Sequence, residues 1–273
     1  MTIMHKTVFL AAGLAMAAGF SSNAGAALLP FSVNPGPIGG TNTTFSADAL
    51  NLTTVALVTQ SSPMTQDEAG FAQVTAFTLG GSLVNPTGGL NSAYGVYVTY
   101  TTSVQIGSFA PGSIGPVTDF DFQLWGDVGN NDTFNSASNS TGSAIGTVTN
   151  TGGDVLLATG SLAGSANTAG FNSNGGPQFS VLASFDLTAE GASVFVDPVP
   201  FYSFEFSAST SSQAGNVIFP TAANGLAANQ VAITSVINSS FLNVPEPTSL
   251  ALLGSGLIGI GGLSWRRRQR RAA

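Results

Sequence analysis

The chain has no cysteine, one histidine and very little charge: Asp, Glu, Lys and Arg make up 7% of its 273 residues. The missing bases are the most informative absence. Lys6 stands near the start, Arg266, Arg267, Arg268, Arg270 and Arg271 stand at the end, and residues 7–265 contain neither Lys nor Arg. A body without cations has nothing to neutralise phosphates, which speaks against nucleic-acid binding. The single histidine is His5, so the body also lacks a Ser-His or Cys-His pair, a His-based metal site and a P-loop lysine. The absence of cysteine removes disulfides and thiolate chemistry. What remains is 43% hydrophobic, with 34 Gly and 19 Phe. That content is enough for a core, and with low charge and abundant Ser, Thr and Asn it reads as an exported, β-rich protein rather than a disordered one.

Both ends read as address labels. Lys6 supplies a short positive region, Val8 to Phe20 an apolar stretch, and Ala24-Gly25-Ala26 an A-x-A cleavage site that leaves Ala27 as the mature start. Residues 1–26 are therefore a signal peptide, a substrate for signal peptidase. At the other end, Val244-Pro245-Glu246-Pro247 is rigid and non-helical, because its prolines lack amide donors and restrict their neighbours. Thr248 to Trp265 carries no charge, and as a helix it would reach about 27 Å, close to the thickness of a bilayer core. The five arginines that follow act as a membrane stop and stay cytoplasmic, which places everything before the span outside. A permanent single-span anchor is the simpler alternative for this tail.

The order of Val244-Pro245-Glu246-Pro247, Gly-rich apolar span and Arg cluster resembles the PEP-CTERM sorting signal of diderm bacteria. The resemblance implies recognition by an exosortase-type membrane transpeptidase and cleavage near Pro-Glu-Pro. It implies a transient stay in the inner membrane, then delivery to the cell surface or extracellular matrix, where such proteins accompany exopolysaccharide.

The body, residues 27–243, is expected to be all-β: an antiparallel β-sandwich, jelly-roll-like, between the signal peptide and the sorting signal of residues 244–273. Asp119-Phe120-Asp121-Phe122-Gln123-Leu124 alternates strictly, and Tyr202 to Ser207 repeats the pattern. Tyr94 to Tyr100 is β-branched and aromatic; Phe71 to Leu79, Asp154 to Thr159, Phe179 to Leu187 and Val231 to Phe241 are further strand candidates. Gly- and Asn-rich turns separate them. A β-solenoid is the second architecture, but no fixed repeat supports it. The ordered segments Pro30 to Pro35, Phe45 to Leu50, Tyr94 to Tyr97, Asp154 to Gly160, Phe185 to Thr188 and Pro198 to Tyr202 resemble the flocculation-associated PEP-CTERM proteins of floc-forming bacteria. This implies a role in aggregating cells within exopolysaccharide, and it brings no catalytic motif with it.

Three constellations carry chemistry. Asp127-Val128-Gly129-Asn130-Asn131-Asp132 packs carboxylate and amide oxygens into one turn, and Asp127, Asn130 and Asp132 are the candidate Ca²⁺ ligands. The spacing is not that of an EF-hand, and the simpler reading is an Asx turn capping its own backbone. Asp119 and Asp121 share a strand face, as solvated residues or, less simply, as a glycosidase pair. Among the aromatics, Tyr97 and Trp125 oppose the apolar face and are expected to be exposed for stacking on sugar rings. The resulting expectation is a non-enzymatic exported protein that promotes flocculation or biofilm formation with exopolysaccharide. A carbohydrate-binding module is the alternative, and a matrix-trimming glycosidase a third. After loss of residues 1–26 and a cut near Pro247, the remaining segment 27–246 would keep all 13 acids and no basic side chain, so divalent cations would bridge the body to anionic polysaccharide.

Overall fold

The computed structural model describes residues 28–135, 147–149, 152–164, 167–199, 201, 203–208 and 217–242. In chain order its strands are β1 (Phe31–Val33), β2 (Phe45–Ala47), β3 (Ala49–Ser62), β4 (Thr65–Leu79), β5 (Ser82–Leu83), β6 (Tyr94–Val104) and β7 (Ile114–Val128). They continue with β8 (Thr133–Asn135), β9 (Thr147–Thr149), β10 (Val155–Ser161), β11 (Thr168–Phe171), β12 (Pro177–Ala183) and β13 (Asp186–Leu187). The last four are β14 (Phe195–Asp197), β15 (Ser203–Ala208), β16 (Val217–Ile218) and β17 (Gln230–Leu242). One short helix, α1 (Ala189–Val194), is capped by the Thr188 hydroxyl, which accepts from the Gly191 amide at 2.9 Å.

All strand pairings are antiparallel, and the main sheet runs β11-β12-β15-β17-β3-β4-β6-β7-β10-β13. It also closes: β7 pairs along its first residues with β11 and along its later residues with β10. Eight strands thus form a continuous ring whose sides pack as a sandwich. At the seam Gly170 has φ +145°, and a β-carbon there would overlap the Ser113 carbonyl oxygen, so glycine permits the close approach of β11 to β7. A three-stranded sheet, β14-β1-β2, packs against the ring, and β8 and β9 form a separate hairpin.

The alternating strands behave as their sequence dictates. Phe120, Phe122 and Leu124 of β7 are buried, while Asp119, Asp121 and Gln123 are exposed. Phenylalanines cluster at one place in the core: Phe241 lies 4.8–4.9 Å, ring centre to ring centre, from Phe31, Phe185 and Phe201, all in edge-on geometry. Inside the ring a polar chain interrupts the apolar filling. The Tyr100 hydroxyl donates to Glu68 Oε1 at 2.7 Å and lies 3.0 Å from Thr54 Oγ1, and the Thr54 hydroxyl reaches the Phe71 carbonyl at 2.9 Å. Thr54, Glu68 and Tyr100 border a cavity of about 40 Å³ with Gln66 and Ser235. Burial pushes the Glu68 carboxyl up to about 7, although the Tyr100 hydrogen bond works in the opposite direction.

β3 is long and central, yet its sequence does not alternate cleanly because both of its faces are covered over much of its length. Leu57 packs with Ile218, Leu226 and Ala232 in a small cluster apart from the main core. Among the described residues no helix is long and apolar enough to cross a membrane. The cleavage residues Ala24, Ala26 and Ala27, the sorting tetrapeptide, the span 248–265, the arginine stop and Tyr202 all lie outside the described residues.

Candidate cation site

The β6–β7 register places Gly95 opposite Asp127 and Tyr97 opposite Trp125, on the face of the sheet that points away from the main core. Asp127 ends that face and is fully buried. The chain then turns through Gly129 (φ 86°) and Asn130 (φ 51°), left-handed conformations that glycine and asparagine tolerate best. The turn brings two amides back to the Asp127 carboxylate: Asn131 N–H donates to Oδ1 at 2.9 Å and Asp132 N–H to Oδ2 at 3.3 Å. To this extent the Asx-turn reading holds. The close packing depends on Gly95, because a β-carbon there would lie 2.9 Å from Asp127 Oδ2 and 3.3 Å from Asn130 Oδ1.

A third acid joins from a distant part of the chain. Val155 of β10 pairs with Gly126 of β7, so Asp154, one residue earlier, comes level with Asp127. One carboxylate oxygen from each of Asp127, Asp132 and Asp154 lies within 4.8 Å of the other two. The Tyr97 hydroxyl donates to Asp154 Oδ2 at 2.5 Å. Both oxygens of Asp132 and Oδ1 of Asp154 expose less than 1 Å² and have no hydrogen-bond partner. Desolvation first, then the charges of Asp154 and Asp127, push the Asp132 carboxyl up to about 7. Burial and the Asp154 hydrogen bond hold the Tyr97 phenol well above its ordinary value.

The structure therefore brings Asp127 and Asp132 together, with Asn130 at their edge, and adds Asp154. Sequence spacing missed Asp154 because only the β7–β10 register places it there. The usable signal was its position between Gly152-Gly153 and a strand, where a hairpin partner of β7 would begin. Tyr97 requires a correction. It does lie on the face opposite the core, but it is only 2% exposed, because Phe134 of β8 packs on it at 5.3 Å and also meets Phe71 at 5.5 Å. Its ring has no free face for a sugar. Trp125 is half-buried, and its indole N–H donates to Thr99 Oγ1 at 3.2 Å. An open groove of about 410 Å³ crosses β6, β7 and β10, lined by Thr99, Thr101, Asp121, Gln123, Thr159 and Asp186; Trp125 meets its wall only through Thr99 and does not line it. Asp119 lies on the same exposed side of β7 but does not line the groove.

Comparison with known proteins identifies the tail. Residues 243–268 match the PEP-CTERM protein-sorting motif. No curated protein and no solved structure matches the chain. The protein thus carries a PEP-CTERM sorting signal, and that signal implies export, transient membrane anchoring and handling by an exosortase-type system before surface or extracellular release.

Proposed function

We propose that the exported body is a non-catalytic surface or matrix protein that promotes flocculation or biofilm formation together with exopolysaccharide. The observation that carries this reading is the charge distribution on a sorted β body. Asp67, Asp119, Asp121, Asp186, Glu190 and Asp197 are exposed, and residues 7–265 offer no Lys or Arg to pair with them. Such carboxylates have no cation in the body to pair with and turn to hydroxyls, as Asp67 does to Ser103 and Asp186 to Ser184, and to amides, water and external cations. A divalent ion shared between these acids and an anionic polysaccharide would join protein to matrix, at a range limited by a screening length of about 10 Å. The test is deletion of the gene, followed by complementation with the full chain or with a chain lacking residues 245–273. Return of flocculation with the full chain alone supports both the role and the need for sorting. Normal flocculation in the deletion strain refutes the role.

The groove across β6, β7 and β10 favours a second reading, a carbohydrate-binding module for one particular glycan. Its lining of hydroxyl, amide and carboxylate groups on a strand face suits sugar hydroxyls. Under this reading Gln123→Ala and Thr101→Ala, both in the groove lining, abolish binding to an isolated matrix polysaccharide. Unchanged binding by both variants rejects it.

A further inference from the structure

We propose that Asp127, Asp132 and Asp154 form a Ca²⁺-type cation site that fastens the turn after β7 to the start of β10. Two independent observations support it. The first is geometric: carboxylate oxygens from all three residues lie within 4.8 Å of one another, and two oxygens that each sit about 2.4 Å from one Ca²⁺ are at most about 4.8 Å apart. The second is a deficit of partners: Asp132 Oδ1 and Oδ2 and Asp154 Oδ1 are each buried to less than 1 Å² and accept no hydrogen bond. Buried carboxylate oxygens without partners carry a desolvation cost that is ordinarily offset by a donor or a cation. No internal cation can serve, because the chain from residue 7 to 265 has no Lys, Arg or His.

The donor set suits a hard ion. Carboxylate oxygens, with no sulfur or imidazole, favour Ca²⁺ over zinc or copper. Each Asp127 oxygen accepts one amide and keeps a second lone pair for a metal. Tyr97 orients Asp154 from behind, as outer partners of metal ligands do. The remaining coordination positions fall to the second oxygens of the carboxylates and to water. The site tethers the β8–β9 hairpin indirectly, since Asp132 immediately precedes β8, whose Phe134 covers Tyr97. This inference stands separately from the matrix role, because it concerns one intramolecular site and is read on purified protein.

The test uses the full chain in mild detergent, with Tb³⁺ as a luminescent substitute for Ca²⁺. Excitation of Tyr97, whose hydroxyl touches a ligand, is expected to sensitise Tb³⁺ emission that saturates at one ion per chain and is displaced by Ca²⁺. Saturating Ca²⁺, at about a hundredfold excess over Kd, is expected to raise Tm by roughly 5–10 °C relative to chelator. Asp132→Asn and Asp154→Asn each weaken the ion by at least about tenfold, as loss of a charged ligand should. Equal emission from parent and Asp132→Asn/Asp154→Asn overturns the proposal, because the ion is then diffusely bound. So does a parent Tm that does not respond to Ca²⁺.

Discussion

Glu68→Gln tests the physics of the ring interior. Glu68 has its carboxyl inside the sheet, in contact with Tyr100, and its pKa is raised from 4.5 to about 7, chiefly by desolvation. A carboxyl with a raised folded-state pKa holds its proton more tightly when folded. Its stabilising contribution is therefore complete below about pH 4.5 and is lost as pH rises toward 7, with no further change above. Each pH unit in that window removes about 1.4 kcal/mol, which sets a ceiling of about 3.5 kcal/mol. Residual solvent access at a half-buried residue brings the expectation to about 1–3 kcal/mol. Gln has the shape of the protonated acid, accepts from Tyr100 and does not ionise. The variant should come closest to the parent at pH 5 and exceed its stability by about 1–3 kcal/mol at pH 8. The assay is urea unfolding at pH 5, 6, 7 and 8 with chelator present. Asp132 titrates in the same window in both proteins, so the difference between parent and variant isolates Glu68. A difference that does not change with pH, or a variant that is weaker at pH 8, refutes the reasoning.

Two further substitutions probe packing. Gly95→Ala drives a methyl group to 2.9 Å from Asp127 Oδ2 and should cost about 1–3 kcal/mol in urea unfolding while weakening Tb³⁺ binding. Phe241→Ala empties the centre of an aromatic cluster in which Phe241 is 1% exposed, and should cost about 3–5 kcal/mol by the same measurement.

The parts of the fold legible in the sequence were those with one wet face. β7 alternates because water meets Asp119, Asp121 and Gln123, and β6 is marked by its run of aromatic and β-branched residues. β3 escaped because residues on both of its faces are covered, some of them by Ile218 and Leu226, which erases the period. The β7–β11 closure was not legible at all, since it depends on a pairing between segments some fifty residues apart, and β11, with four residues, is too short to carry a periodic signature. The acid cluster was half legible for the same reason: Asp127 and Asp132 share a turn, whereas Asp154 arrives through strand register. Tyr97 shows a different limit. Alternation assigns a side chain to a face, but it does not reveal that Phe134 will roof that face.

Closure of the ring bears on how this protein behaves in a crowd. An exported, β-rich chain concentrated at a surface would ordinarily risk joining its neighbours strand to strand, since a free sheet edge is a template for another copy. Here β7 is paired on both sides, and the strand at the end of the main path, β13, has only two residues, Asp186 and Leu187. Backbone polymerisation is thereby disfavoured, and association between molecules is left to side chains and the ions they hold. Contacts of that kind come apart when the salt changes, whereas fibrils built from paired edges persist.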